Sequence, residues 1–164
     1  MEKEINKIEE GSSRKTLKDA IKSLQTADRM LTMTYPLVKD EKLLVAVLDN
    51  IYLAASGAIN AILENQREQK KIPPYQKDLD SKMNMMRLKV CEELKIDPKE
   101  LTFIEYLKEL VKAQRNSNVK FSRNDQRVFL KDEQIKTLSK LRLETHIQKA
   151  KNLVTIAERV LSEN

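Results

Sequence analysis

Tryptophan is absent from this chain, glycine occurs twice, proline four times, and cysteine and histidine once each. Each shortage removes a class of structure or chemistry. So few glycines and prolines leave little material for the many turns of a sheet-rich fold and favour long helices. Aromatic residues make up 4% of the chain, so base-stacking platforms have few side chains to draw on. Cys91 has no partner for an internal disulfide or a CxxC metal knuckle, and His146 is the lone imidazole. There is no HExxH, no zinc spacing and no EF-hand loop. Gly11 and Gly57 cannot build a GxxxxGK[ST] phosphate cradle. No cofactor and no metal are expected.

The first ten residues, MEKEINKIEE, are acidic where a secretory leader would carry a basic patch followed by an apolar run. A cytoplasmic location is the simpler expectation. Residues 1–12 are read as a flexible acidic N-terminal segment and 13–164 as a single domain, which a chain of 164 residues can support without metals or disulfides.

What the chain does contain is helical periodicity. The segment Leu43 to Leu63 carries one charged side chain, Asp49, in a chain that is 34% charged. A helix so apolar must be wrapped by the rest of the molecule or by a partner. It is long enough to span a bilayer, but Asp49, Asn50 and Asn60 would enter hydrocarbon, and one Asp near the centre costs about 3 kcal/mol on insertion scales. The segment is therefore expected as the central helix of a soluble bundle, with no membrane contact. Within it Ala54, Gly57, Ala58 and Ala61 form a small-residue surface suited either to close packing or to a symmetric interface. Asp49, Ser56 and Asn60 form a narrow polar strip, either solvent-facing or part of a buried network.

Before this segment, a helix is expected to begin at Ser13 or Thr16 and to bury Leu17, Ala20, Ile21, Leu24, Ala27 and Leu31. Tyr35 and Pro36 should break it, and Asp40 can cap the next helix. After it, a third helix places Leu79, Met83, Met86, Val90 and Leu94 inward. The Asp97-Pro98-Glu100 signal then starts a fourth with Phe103, Ile104, Leu107, Leu110 and Val111, fraying near residues 115–117. Residues 118–131 depart from the helical period. Val119 and Phe121 alternate with Lys120 and Ser122, and Arg127 to Leu130 make a second extended run, which predicts a small β-hairpin. The final helix is expected from Asp132, through Ile135, Leu138, Leu141, Ala150, Val154, Ala157 and Leu161, spanning some 45 Å. The fold class is thus all-α, a mainly antiparallel bundle of about five helices with a β-hairpin inserted at 118–131.

Positive charge is concentrated beside that hairpin. Lys112, Arg115, Lys120, Arg123, Arg127 and Lys131 face only Asp125 within residues 112–131, a net of +5 in a chain whose whole net is +6. These six are the candidate phosphate contacts for RNA, with Phe121 or Phe129 available for stacking if either faces solvent. The alternative is that the phenylalanines pin the hairpin to the helices and the charges solvate it. Arg14, Lys15, Lys18 and Lys22 form a second basic segment on the first helix. Cys91, next to Glu92 and Glu93, is expected to be buried and unreactive. His146 shares a helical face with Arg142 but not with Glu144, so a catalytic pairing is weaker than a structural role.

The helical organisation followed by QRNSNVKF at Gln114 to Phe121 resembles the HEPN superfamily. Members are helical bundles, commonly dimeric, and many are metal-independent ribonucleases carrying Arg, a polar residue and a His several positions later. Arg115 and Asn116 match the start of that motif; Lys120 and Phe121 stand where the His would fall. The resemblance therefore implies RNA association or protein pairing rather than cleavage, with Arg115 as an RNA contact. The leading expectation is a non-enzymatic helical interaction or assembly module, homodimeric or bound to a protein partner. An RNA-binding module and a HEPN-like ribonuclease are the alternatives.

Overall fold

The structure is a computed structural model that describes residues 2–163, with side chains described from Ser12 to Glu163. The acidic segment expected at 1–12 falls, Ser12 apart, on side chains outside that set. The chain is mostly helical with one small antiparallel sheet. Helix α1 spans Glu2–Arg29, passes through a π-helical turn at Met30–Thr34, and continues as α2, Tyr35–Val38. Helix α3 is Lys42–Glu68, α4 is Leu79–Met85 followed by a second π turn at Met86–Val90, α5 is Lys99–Asn116, and α6 is Lys140–Ser162. Strands β1 (Lys120–Arg123), β2 (Gln126–Lys131) and β3 (Gln134–Leu138) lie between α5 and α6, paired in the order β1-β2-β3.

Pro36 does not break the first rod. A proline inside a helix lacks the N–H for the ladder, and its ring collides with the carbonyl four residues earlier. Here the helix widens just before it, with the Tyr35 N–H reaching the Met30 carbonyl, so that α2 emerges with Pro36 in its first turn. The rod stops at Lys39, whose φ of 50° is left-handed and whose N–H closes on the Tyr35 carbonyl at 2.8 Å. The Asp40 carboxylate then accepts from the Lys42 N–H at 3.0 Å, which starts α3 as expected. Asp97 accepts from the Lys99 N–H in the same way, starting α5.

Helix α3 is the axis of the packing. Leu44, Val47, Leu48, Ile51, Ala54, Ala55, Ala58, Ile59, Ala61, Ile62 and Leu63 are all excluded from water. By length and composition it could also cross a membrane; here α1, α6 and α5 pack along it. Helix α1 lies antiparallel to it, as the pairings of Ser13 with Glu68 and Ala20 with Gly57 show. At one end the Glu68 carboxylate accepts from both the N–H and the hydroxyl of Ser13, at 3.0 and 2.7 Å, and Glu64 accepts from Ser12 and Thr16. Further along, Gly57 lets the backbones close: a Cβ placed there would sit 2.9 Å from the Ala20 Cβ. Ala54, Gly57, Ala58 and Ala61 thus belong to the chain's own interior packing. The strip of Asp49, Ser56 and Asn60 is half-buried, and the Ser56 hydroxyl donates to the Tyr52 carbonyl at 2.7 Å.

Two expectations fail between residues 118 and 141. The inserted element is a three-stranded sheet rather than a hairpin, and the last helix starts at Lys140 rather than Asp132. Asp132 and Glu133 adopt φ of 49° and 64°, the paired positive values of a tight hairpin turn, as do Asn124 and Asp125 at 50° and 60°. The chain therefore folds back once more as β3, and Ser139 caps α6 by accepting from the Arg142 N–H at 3.3 Å. At 23 residues α6 is about 35 Å long. Ile135 and Leu141, expected inside, are 70% and 74% exposed, while Leu143, Ile147, Leu153 and Val160 complete the inner face of α6.

The Gly57 contact yields a stability prediction. Gly57→Ala gains about 1 kcal/mol of helix propensity, but overpacking against Ala20 costs about 1–3 kcal/mol, so the variant should be less stable by roughly 1 kcal/mol. Urea unfolding will measure it. Adding Ala20→Gly should recover part of the loss, and additive effects of the two changes would contradict the close approach.

Candidate nucleic-acid and protein-docking surface

Alternation along the strands gives the sheet two distinct faces. Cross-strand partners share a face, so Lys120, Ser122, Arg127, Phe129, Lys131, Gln134, Lys136 and Leu138 project to one side. This is the inner side: Phe129 and Leu138 are buried in the core, and β2 packs on α5 and α3. Two ties hold the sheet in place. Ser117, just past α5, accepts from the Leu130 N–H at 3.0 Å, and the buried Tyr35 hydroxyl donates to the Asp125 carbonyl at 3.0 Å. The register also decides which phenylalanine turns inward. Phe129 pins the sheet, and Phe121 faces outward at 45% exposure.

The outer face carries Phe121, Arg123, Gln126, Val128, Leu130, Ile135 and Thr137. Val119, two residues before Phe121, is 43% exposed, and Val128 is buried at 6% outside the main core. An apolar surface faces solvent here, with Arg123 at its turn end.

The six candidate cations are not one cluster. Arg123 projects with the outer face, whereas Lys120, Arg127 and Lys131 project with the inner one, and Lys112 and Arg115 lie on α5. Two are engaged within the chain. Lys120 Nζ donates to the Arg115 carbonyl at 3.1 Å, placing a cation at the negative end of α5, and the Arg115 guanidinium lies 3.6 Å from the Asp49 carboxylate. Burial raises the Asp49 carboxyl above its usual range, and Arg115 opposes that shift. Arg127 is half-buried, with a buried Nε that has no hydrogen-bond partner among the described residues. Lys112 and Arg123 are exposed and Lys131 is half-exposed.

The second basic segment lies apart from these. Arg14 and Lys18 line a groove of about 380 Å³ between α1 and α6 with Leu17, Ile21 and Glu158.

His146 is a packing residue in its geometry. Its ring lies 5.8 Å from Phe103 and 5.5 Å edge-on to Tyr106, with Lys149 Nζ 5.4 Å over the Phe103 ring. Tyr106 precedes Arg115 by nine residues on α5, about 14 Å along the axis. The imidazole and the Arg115-Asn116 pair therefore sit at different levels of the helix. Beside His146, a groove of about 440 Å³ between α5 and α6 holds Glu100, whose carboxylate accepts from Asn152 at 2.8 Å and is raised above the usual range by burial. Cys91 is buried, and burial pushes its thiol up, with Arg87 opposing the shift. That is the unreactive state expected of it.

Burial depresses the His146 pKa from 6.5 to about 4, and the nearby Lys149 and Arg142 charges add to the effect. Its packing therefore contributes fully above pH 6.5, where the imidazole is neutral in folded and unfolded chains alike. The contribution falls as the pH drops toward about 4, because the unfolded chain takes up the proton first. His146→Phe should flatten the loss of stability across that window in urea unfolding at a series of pH values. An unchanged pH profile would contradict the buried neutral imidazole. No family model, curated protein or solved structure matches this chain.

Proposed function

We propose that the protein is a non-enzymatic interaction module: a helical bundle built around α3 that presents its three-stranded sheet as the recognition element. One observation carries this reading. The sheet is anchored on its inner face by Phe129 and Leu138 yet leaves Phe121 and Ile135 open to solvent on the other, with Val119 exposed just before β1. Exposed apolar surface of this kind is a mark of interaction sites when it is contiguous and rimmed by polar groups. The small-residue surface of α3 does not add a homodimer interface to the proposal, since Gly57 packs against Ala20 of α1 and Ala54, Ala58 and Ala61 are buried within the chain.

A second reading has its own support. The outward Phe121 beside the exposed Arg123 suits a single-stranded RNA, whose phosphates need cations and whose bases need a ring.

Photo-crosslinking separates the two. A crosslinking residue placed at 121 or 135 in cell extract should yield protein adducts, whereas one at exposed Leu88 on the second π turn should not. Adducts that are solely RNA, and that vanish together with RNA affinity in an Arg123→Glu, Lys131→Glu variant, would replace the first reading with the second. Equal adducts at all three positions would remove both.

A further inference from the structure

We infer that residues 133–139 form a two-state switch: strand β3 in one form, and in the other about two added turns at the start of α6, capped by Asp132. The segment suits either state. As a strand it pairs with β2 from Gln134 to Leu138 and places Leu138 in the core at 1% exposure. For a helix it contains no glycine or proline, and Glu133, Gln134, Lys136 and Leu138 are good helix formers. Ile135, Leu138 and Leu141 keep a three-residue spacing across the present boundary at Ser139.

The strand form is locally unfavourable at both ends. Its turn holds Asp132 and Glu133 in the left-handed region, at φ of 49° and 64°, and Glu133 stands at the position where glycine is preferred. Tyr35 ties the β1–β2 turn through the Asp125 carbonyl, whereas no side-chain hydrogen bond ties this turn among the described residues. At the other end α6 opens with Lys140 and Arg142, two cations at the positive end of a helix whose first turn holds no acid. A start at Asp132 removes both faults. Asp132 takes the cap, as Asp97 does before α5, Glu133 enters the first turn, and the two cations move two turns inward. Lengthening an existing helix also needs no new nucleus. Burial of Leu138 and the β2–β3 ladder oppose these gains and keep the helical form the minor one. The other two strands have anchors of their own, in Phe129 and in the bond from Tyr35. Conversion therefore leaves β1 and the first part of β2 as a hairpin, with residues 130–132 as the link to α6. It withdraws Ile135 from the outer face of the sheet, whatever that face binds.

Nuclear magnetic resonance on the full chain tests the switch. Saturation-transfer exchange should reveal a minor state of order 1% whose 13Cα shifts are helical over residues 133–139. An Asp132→Asn, Glu133→Gly variant gives the turn its preferred pair and puts glycine in the first helical turn, so it should lower that population at least about fivefold. Glu133→Pro cannot adopt the left-handed turn and copies the Asp-Pro pair that precedes α5. It should make residues 134–138 helical in the major state while Phe129 and Leu153 keep their resonances. Leu138→Ala removes the anchor of the strand form and retains a good helix former, so it should raise the helical population about tenfold or more. A minor state with disordered rather than helical shifts overturns the inference, as does a folded Glu133→Pro variant whose residues 134–138 are extended or disordered. If Glu133→Pro does not fold, Leu138→Ala decides, and no rise in helical population there overturns the inference equally.

Discussion

Exclusion of water from the inner face of α3 is the constraint on which the rest of the structure depends. A helix with one charge among the residues from Leu43 to Leu63 has no solvent face wide enough to stand alone, so its neighbours must approach closely. One close approach is made by α1, where Gly57 leaves no room for a side chain against Ala20. Truncating a fully buried side chain such as Leu48 or Ile59 would cost about 2–5 kcal/mol, a large fraction of the stability of a domain this size. Polar groups reinforce the arrangement at the ends: Glu64 and Glu68 receive Ser12, Ser13 and Thr16 at one end, and Asp49 receives Arg115 nearer the other.

This packing also determines how the sheet is presented. Helix α5 ends at Asn116, Ser117 ties the exit to β2, and Phe129 and Leu138 enter the core. With one face used for anchoring, the strand period commits the other to solvent, and Phe121 and Ile135 are placed there by register rather than by chance exposure. The π turn before Pro36 bears on the same end of the molecule. It carries the rod on to Val38 and sets Tyr35 where its hydroxyl meets the β1–β2 turn.

Local signals explain why much of the helical architecture is legible in the sequence. The apolar run of α3, the inner positions Ile104, Leu107, Leu110 and Val111 of α5, and the caps at Asp40 and Asp97 depend on spacing and on side chains reaching their own backbone, both visible in a linear string. Strand β3 is not legible, because Ile135 and Leu138 are spaced as in a helix and Asp132 resembles a cap. The hairpin turn at Asp132-Glu133 contains neither glycine nor asparagine to announce it. Pro36 reads as a terminator because a π turn leaves no compositional mark. For the candidate surface the basic content is plain, but which phenylalanine turns outward depends on which face meets α5. The six cations likewise read as one patch in the linear chain, whereas alternation divides them and intramolecular partners take Lys120 and Arg115.

The most direct test of the central claim is amide hydrogen exchange along α3, measured at several protein concentrations. The account predicts that the amides from Leu48 to Leu63 exchange among the slowest in the chain, with protection that does not change on dilution. Rapid exchange there, or protection lost on dilution, would show that water reaches α3 or that a second chain excludes it.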